Sequence, residues 1–303
     1  MAFFLGIDGG GTKTECAIGD ERQILGTSTA STIKIKKVGK TAAGEALDCA
    51  IRTACEQAGI SCRELSRVCI GIAGSTIPEV REWTHAVLKQ LVAGEIIVVN
   101  DAQIAHYAAF QGGPGVLVIA GTGSNVLGIN ERGEAGRAGG WGPIISDEGS
   151  GFWIGRTAVA QAMRAHDSGR MTNLLPAVMR AWRLDTLEQV VSMANSNPPP
   201  DFASLVPEVL RCADDGDGLA REILTFAGNE LAQLARIVIR KVWPGKENVS
   251  IALTGGIFVH SAHIRQVFVN AIRAERPGIS VNVDPVHPVM GALEMARNTS
   301  FKP

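Results

Sequence analysis

The sequence predicts an α/β protein that is built from two domains. Its 303 residues exceed the roughly 100–200 residues of a typical domain, and an apolar content of 46% is enough for two packed cores. Two stretches open alike, with an apolar run, a glycine-rich turn and a second apolar run, and strand and helix patterns follow each. This repetition suggests internal duplication, with domains over residues 1–113 and 114–303.

The first domain begins with a predicted antiparallel meander. Its three strands cover residues 2–8, 15–19 and 24–30. Apolar residues at helical spacing then predict a helix over 41–58 that stops at Gly59, a residue suited to a helix C-terminus. Strand and helix patterns alternate after it, over residues 68–73, 78–91, 96–99 and 102–110.

The second domain begins with another pair of strands around a glycine turn, at 116–120 and 126–129. A mostly helical insertion over about 150–245 follows, broken by a proline-rich surface loop at residues 195–200. A strand, a helix, a strand and a helix complete the chain over residues 249–253, 260–274, 279–283 and 289–297. The last helix could pack back toward the first domain.

Charge and composition exclude several functional classes. A net charge of −1 provides no strongly basic face for nucleic acid or an anionic membrane, so a small molecule is the expected partner. The longest apolar stretch, residues 116–120, falls far short of the ~20 residues of a membrane span, and a cytoplasmic protein is expected. Six cysteines without a CxxC pair suggest neither a zinc site nor a redox dithiol.

Glycine is the one compositional anomaly: 35 of 303 residues, or about 11.6%, are glycine, against a typical ~7%. Three glycine turns follow apolar strands, at residues 8–14, 121–124 and 254–256. Glycine lets several backbone N–H groups converge on one anion, which suits a phosphate tail. Each turn alone is more often a plain hairpin, but the three together favour nucleotide binding.

Two other glycine motifs do not fit the sequence. Gly39-Lys40-Thr41 resembles the end of a P-loop, but Lys34 stands where that motif needs its first glycine. The chain contains no GxGxxG run, so a dinucleotide site of the Rossmann type is not expected.

The motifs DGGGTKT, VVNDA, VIAGTGSN, GGWG and DEGSGFWIG occur in this order between residues 8 and 155. In this combination the sequence resembles the N-acetylglucosamine kinase branch of the BadF/BadG/BcrA/BcrD ATPase family, from residue 4 to about 296. The resemblance implies two ribonuclease H-like (actin-like ATPase) domains with a central ligand cleft, and a homodimer. It also implies ATP- and Mg²⁺-dependent phosphorylation of an amino sugar at its 6-hydroxyl, with N-acetylglucosamine, glucosamine and N-acetylmuramate as candidate acceptors.

The resemblance also implies nucleotide-binding positions: Asp8, Gly10, Gly11, Thr12, Lys13, Thr14, Gly121, Thr122, Gly123, Gly255 and Gly256. Asp8 would orient Mg²⁺, often through water. Thr12 and Thr122 would hold the phosphates of ATP, and the two glycines of the third turn would lie against the nucleoside.

Asp101 matches the family's catalytic base. Phosphoryl transfer needs a carboxylate that accepts the proton of the attacking hydroxyl, and Asp101 follows a predicted strand. An ordinary helix N-cap is the alternative. The sugar-contacting positions implied by the resemblance are Ser124, Asn125, Gly140, Trp141, Gly142, Asp147 and Glu148. Core packing remains the alternative for Trp141, and helix capping for Glu148.

One position departs from the family pattern. Ile33 stands where an Asn that contacts the sugar is expected, so the identity of the acceptor stays open. The lysine cluster Lys34, Lys36, Lys37 and Lys40 could favour an acidic sugar or could simply be a solvated loop.

Two other functions remain as alternatives. One is an ATPase that activates a dehydratase through an iron–sulfur cluster, for which Cys62 and Cys69 are the nearest ligands. The other is a sugar-binding regulator without enzymatic activity.

Overall fold

The computed structural model describes residues 2–245, 248–298 and 300. The chain divides into two compact units. The first unit contains the chain up to Pro114 and the segment from Val286 onward, and the second contains Gly115–Pro285. The predicted boundaries place this final segment in the second domain, with its last helix able to pack back toward the first, and in the structure it groups with the first unit.

The first unit is built on a mixed five-stranded sheet. Its strands are β1 (Phe3–Gly9), β2 (Lys13–Gly19), β3 (Ile24–Ser31), β4 (Leu65–Ile72) and β5 (Glu95–Val99). They lie in the order β3-β2-β1-β4-β5. β1, β2 and β3 form the predicted antiparallel meander, while β4 and β5 run parallel to β1. The carboxyl ends of β1, β4 and β5 therefore meet at one edge of the sheet.

Three helices belong to this part of the chain: α1 (Ile35–Ala58), α2 (Pro78–Leu91) and α3 (Asp101–Phe110). α1 starts six residues earlier than predicted and breaks at Gly39, which has φ +81°. Leu5 and Ile7 of β1 pack in one apolar cluster with residues of α1, whereas Phe4 packs in another with Ile104 of α3. Both faces of the sheet are thus covered, as is usual where parallel strands are central.

The second unit repeats this topology. Its strands are β6 (Gly115–Ala120), β7 (Ser124–Ile129), β8 (Ala135–Gly139), β9 (Ser250–Thr254) and β10 (Ser280–Asn282). The strands lie in the order β8-β7-β6-β9-β10. β6, β7 and β8 form an antiparallel meander like that of the first sheet, and β9 and β10 run parallel to β6. This repetition agrees with the predicted duplication. β8 is a strand that the sequence pattern did not predict.

The helices of the second unit lie mainly between β8 and β9. They are α4 (Gly151–Ser168), α5 (Leu174–Trp182), α6 (Leu187–Ala194), α7 (Val206–Asp214), α8 (Gly218–Val242), α9 (Gly256–His260) and α10 (Ala262–Glu275). α8 carries a long buried stripe against the sheet, and α4 packs in the same apolar cluster. Within the described part of the chain, no helix is both long and apolar enough to cross a membrane.

The final helix, α11 (Pro288–Arg297), belongs to the first unit. A side chain on Gly6 of β1 would overlap the backbone of Leu293, and one on Gly291 would overlap the carbonyl oxygen of Ile104. The helix therefore lies directly on β1 and against α3. This close packing of small residues is the physical reason why the end of the chain returns to the first unit.

Candidate active site

The first glycine turn connects β1 to β2. Gly10 and Gly11 lie in this turn, and an added Cβ on Gly11 would meet nothing within 4 Å. Thr12, the third residue of the turn, is exposed. The ammonium group of Lys13 lies 2.7 Å from Glu15 Oε1, so its charge is paired within β2. The turn thus presents bare backbone and one hydroxyl to solvent.

Thr14 differs from its neighbours because its side chain is fully buried. Its hydroxyl donates a hydrogen bond of 2.9 Å to the carbonyl oxygen of Ser31, which ties β2 to β3. A second threonine, Thr32, supports the turn from the other side by donating to the carbonyl oxygen of Gly10 at 2.8 Å. Thr32 is a site residue that the sequence did not reveal, because nothing in its local pattern indicates a contact 22 residues away.

Asp8 and Asp101 lie at the same edge of the first sheet, at the end of β1 and just after β5. The pKa of Asp8 is raised from 3.8 to about 7, first by burial and then by the charges of Asp101 and Glu15, against an opposing effect of Lys13. Burial also raises the pKa of Asp101, and the charge of Lys34 opposes that rise. Two carboxyl groups therefore share one partly buried region, where holding both of them ionised is costly.

Asp101 is not the N-cap of α3. Asn100 has that role. Its side-chain oxygen accepts a 3.0 Å hydrogen bond from the backbone amide of Ala102, and the backbone amide of Asn100 donates to Gln103 Oε1 at 2.9 Å. Asp101 Oδ1 also accepts from Ala102 at 2.9 Å. Because Asn100 and Gln103 form a complete capping box, the helix start does not depend on the Asp101 carboxylate.

The second glycine turn is fixed by the start of α4. The amide of Gly151 donates to the carbonyl oxygen of Gly121 at 2.8 Å, and the amide of Phe152 donates to that of Thr122 at 3.1 Å. Gly255, with φ +102°, lies against the backbone of Ala120, so close that a Cβ would overlap it. The turns after β6 and β9 thus lie side by side, and Gly256 begins α9 there.

Predicted sugar contacts cluster next to this turn. The hydroxyl of Ser124 donates to the carbonyl oxygen of Glu148 at 2.8 Å. A Cβ on Gly123 would come within 2.9 Å of Asp147 Oδ2, and one on Gly140 would come within about 3.0 Å of the Asn125 side chain. The structure therefore brings Ser124, Asn125, Gly140, Asp147 and Glu148 into one region of the second unit.

Asn125 has a polar atom without a partner. Its Oδ1 is buried and accepts no hydrogen bond among the described residues. An unpaired buried oxygen costs about 1–3 kcal/mol, and a hydroxyl-bearing ligand would remove that cost. This atom is therefore available to accept a hydrogen bond from a ligand hydroxyl.

Trp141 is not a core residue, because 65% of its surface is exposed. The guanidinium carbon of Arg137 lies 4.1 Å from the centroid of its ring. Gly142, with φ +104°, follows it. Glu148 does not cap α4 either: Ser150 does, and the Glu148 carboxylate accepts a 3.1 Å bond from Ser146.

Comparison with known proteins decides the family. The family model described as the BadF/BadG/BcrA/BcrD ATPase family matches residues 5–296. The chain belongs to this family. It is 29% identical to the N-acetylmuramic acid/N-acetylglucosamine kinase of Clostridium acetobutylicum, over 98% of this chain and 99% of that protein. It is also 30% identical to the N-acetyl-D-glucosamine kinase of Dictyostelium discoideum, over 98% of each chain.

A solved structure shows the same fold. The proposed N-acetylglucosamine kinase of Chromobacterium violaceum has a TM-score of 0.77 and 25% sequence identity to this chain. The similarity covers 97% of this chain and 98% of that one. The α/β architecture with two actin-like ATPase sheets, expected from the motifs, is therefore confirmed.

Ile33, which stands where the resemblance predicts an Asn that contacts the sugar, is a core residue in this structure. It is fully buried, and its Cδ1 lies 2.7 Å from where a Cβ on Gly9 would be. An apolar side chain thus fills the space under the first turn, and the neighbouring lysines face solvent. Lys40 is ion-paired with Glu79 at 2.7 Å.

The cysteines do not form a cluster-binding set. Cys62 Sγ lies 2.8 Å from Cys55 Sγ, in contact with the apolar cluster under α1. Cys69 is fully buried in the cluster on the opposite face of the sheet. Cys62 and Cys69 are therefore separated by the sheet itself and cannot share one iron–sulfur cluster.

The residues present fit Mg²⁺ that is bound mainly through nucleotide phosphates. Among residues 2–245, 248–298 and 300, no group of three or more His, Cys, Asp and Glu side chains could hold a metal alone. Mg²⁺ commonly uses one or two carboxylates together with phosphates and waters. Asp8, whose pKa is raised first by burial and then by the charges of Asp101 and Glu15, is a carboxylate that would suit this role.

Proposed function

We propose that the protein is an ATP-dependent kinase that phosphorylates an amino sugar at its 6-hydroxyl, with N-acetylglucosamine as the first candidate acceptor. The observation that carries this proposal is the position of Asp101. It is partly buried beside Asp8, and the N-cap of α3 is Asn100 rather than Asp101. The two relatives of nearly equal length, both bearing names of amino-sugar kinases, support the same reaction.

In this reaction the 6-oxygen of the sugar forms a bond to the γ-phosphorus of ATP, and the bond from that phosphorus to the bridging oxygen breaks. ADP leaves, and Asp101 accepts the hydroxyl proton. The backbone of the turns at Gly10–Thr12 and Gly121–Gly123 would hold phosphate oxygens. When bound, Mg²⁺ would neutralise part of the phosphate charge, with Asp8 as its protein ligand.

The second unit would hold the acceptor. Asn125 Oδ1 is a free acceptor for a sugar hydroxyl, and Asp147 provides carboxylate oxygens beside the turn. The exposed ring of Trp141 offers an apolar surface for the face of the sugar. Thr14 would contribute indirectly, because its hydroxyl is already bound to Ser31.

The test is Asp101→Asn in a coupled ADP-release assay with N-acetylglucosamine, glucosamine and N-acetylmuramate. Loss of the base should lower kcat by about 10²–10⁴-fold and leave ATP affinity within about twofold by calorimetry. Asp48→Asn is the matched control, since it removes only an exposed ion pair with Arg52. Full activity of Asp101→Asn would refute the assignment of the base.

The same assay separates the alternatives. Sugar-dependent ADP release excludes a regulator that only binds sugar, and the separation of Cys62 from Cys69 already disfavours a dehydratase activator. We also propose that Mg²⁺ is the metal, that the enzyme is a homodimer and that it works in the cytoplasm. Activity after chelation, and mass from light scattering, test the first two points.

A further inference from the structure

Two cysteines of the first unit are in direct contact, although they are spaced seven residues apart. Cys55 lies in the last turn of α1, and Cys62 begins the short 3-10 helix Cys62–Glu64 that leads into β4. The Cys62 thiol donates to Cys55 Sγ at 2.8 Å, and both cysteines are free thiols. Since bonded sulfur atoms are about 2.05 Å apart, these two need to approach by less than ~1 Å to form a bond. The structure thus contains a dithiol that no CxxC pattern indicates.

The turn after α1 brings the two thiols together. Gly59 ends the helix with φ +68°, in the left-handed region that favours glycine. Its amide donates to the carbonyl oxygen of Glu56, and the amide of Ile60 donates to that of Cys55, both at 3.1 Å. The chain therefore turns sharply at the end of α1 and returns Cys62 to the last turn of the helix.

The segment that carries Cys62 is fixed as well. The amide of Ser61 donates to Glu64 Oε2 at 2.7 Å, and the amide of Arg63 donates to Ser61 Oγ at 3.3 Å. The guanidinium group of Arg63 donates to the carbonyl oxygen of Gln90 at 2.8 Å, which ties the segment to the end of α2. Backbone hydrogen bonds therefore hold the thiols side by side, and little rearrangement is needed to join them.

The two thiols differ in access. Cys62 is half-buried, whereas Cys55 is only 2% exposed. Both line a cavity of about 330 Å³, which has room for a small oxidant because one water takes up about 30 Å³. Burial, and then the hydrogen bond from Cys62, raises the pKa of the Cys55 thiol, so that Cys55 remains protonated near neutral pH. Cys62 is thus the sulfur that an oxidant meets first.

The remaining cysteines are less suited to forming a disulfide. Burial raises the pKa of Cys16 and of Cys69 to about 12, and it also raises the pKa of Cys212. Buried thiols of this kind are inert because the thiolate is the reactive form. Cys49 is exposed, but the contact between Cys62 and its partner is the one thiol–thiol hydrogen bond in the described part of the chain.

We propose that Cys55 and Cys62 form a modification site at which hydrogen peroxide produces a reversible disulfide between α1 and the segment before β4. The Cys62 sulfur bonds to one peroxide oxygen, the O–O bond breaks, and Cys62 becomes a sulfenic acid while water leaves. The Cys55 sulfur then bonds to the Cys62 sulfur, the S–O bond breaks, and the hydroxyl group leaves as water with the Cys55 proton. The two thiols are oxidised and the peroxide is reduced.

The bond is reversible because a dithiol reductant opens it by exchange and is itself oxidised to a disulfide. In a reducing compartment the modification is therefore transient. The inference does not depend on the proposed kinase function, and its test needs no sugar or nucleotide.

The experiment exposes the protein to hydrogen peroxide, alkylates the remaining thiols under denaturing conditions and digests the product with trypsin. Cleavage after Arg52 and Arg63 releases residues 53–63, which carry both thiols of the pair. In the mass spectrum this peptide should lose both alkyl groups and be lighter by two hydrogen atoms than the unalkylated dithiol. Dithiothreitol added before alkylation should restore both alkyl groups.

Two variants identify the order of events. Cys55→Ser should prevent the disulfide and leave Cys62 as a sulfenic acid that dimedone labels. Cys49→Ser is the matched control, since it removes an exposed thiol outside the pair and should leave the oxidation of residues 53–63 unchanged. If residues 53–63 form no internal disulfide at peroxide levels that oxidise Cys49, or if either thiol of the pair bonds to another cysteine instead, the proposal is wrong.

Discussion

Replacing Asp8 by Asn should make the stability of the ligand-free protein less sensitive to a rise in pH from about 4 to 7. The pKa of Asp8 is about 7 in the folded protein, against an ordinary value of 3.8. Between these values the folded state keeps a proton that the unfolded chain has lost. Stability therefore falls as pH rises from about 4 to 7, and it is level above pH 7.

The magnitude follows from the size of the shift. Each pKa unit corresponds to about 1.36 kcal/mol, so the two units between pH 5 and pH 7 amount to about 3 kcal/mol. Asp8→Asn removes this contribution because an amide does not titrate in this range. The difference in unfolding free energy between the variant and the wild type should therefore shift by about 3 kcal/mol in favour of the variant from pH 5 to pH 8.

Urea unfolding at pH 5, 6, 7 and 8 measures this difference. Asp101→Asn provides an internal check: the charge of Asp101 is the second cause of the Asp8 shift, so its loss should reduce the pH dependence without removing it. If the wild type and Asp8→Asn lose stability in parallel, Asp8 titrates normally in the folded protein and the reasoning is wrong.

Three further predictions concern packing and sugar binding. Gly291→Ala should destabilise the protein by about 2 kcal/mol, because the new methyl group meets the carbonyl oxygen of Ile104. Gly44→Ala lies in open space within α1 and should stabilise the protein by roughly 0.5–1 kcal/mol. Thermal unfolding that gave both substitutions the same sign would contradict this packing. Asn125→Ala should raise the KM for the sugar about tenfold without lowering the thermal stability of the ligand-free protein, because it removes a buried oxygen that has no partner; an unchanged KM would remove Asn125 from the site. Ile33→Asn should lower the free energy of unfolding, measured in urea, by about 3 kcal/mol and should not tighten sugar binding. A stable variant with tighter sugar binding would show that Ile33 is not a core residue.

Much of the fold could be predicted because apolar periodicity and glycine turns act locally. The meander of β1, β2 and β3 and the start of α3 follow directly from strand patterns and from the polar residues that end them. β8 could not be predicted: its sequence, Ala-Gly-Arg-Ala-Gly, has no apolar alternation, and it is a strand only because it pairs with β7. The first turn of α1 could not be predicted either, because its lysines interrupt the apolar spacing that indicates a helix.

The candidate site shows the same limit. The motifs indicated Asp8, Asp101 and the glycine turns through their resemblance to a known family, because each turn alone is compatible with a plain hairpin and Asp101 alone with a helix N-cap. They could not indicate Thr32, whose bond to Gly10 depends on how β3 ends. Nor could they show that Ile33 is buried, since one apolar residue among lysines looks like part of an exposed loop.

The two units present different side chains at the same point of the repeated topology. Both sheets place a hairpin turn after their central strand, β1 in one and β6 in the other. The first unit has two carboxyl groups at that edge, and their burial and repulsion raise the pKa of Asp8. The corresponding edge of the second unit ends β6 in Ala120 and turns through Gly121–Gly123, with Asn125 next in β7. Both edges therefore carry carboxyl groups: Asp8 and Asp101 in the first unit, and Asp147 beside the turn of the second, where a Cβ on Gly123 would come within 2.9 Å of Asp147 Oδ2. The second unit differs because it adds the buried Oδ1 of Asn125, which has no hydrogen-bond partner among the described residues and suits an uncharged hydroxyl as donor.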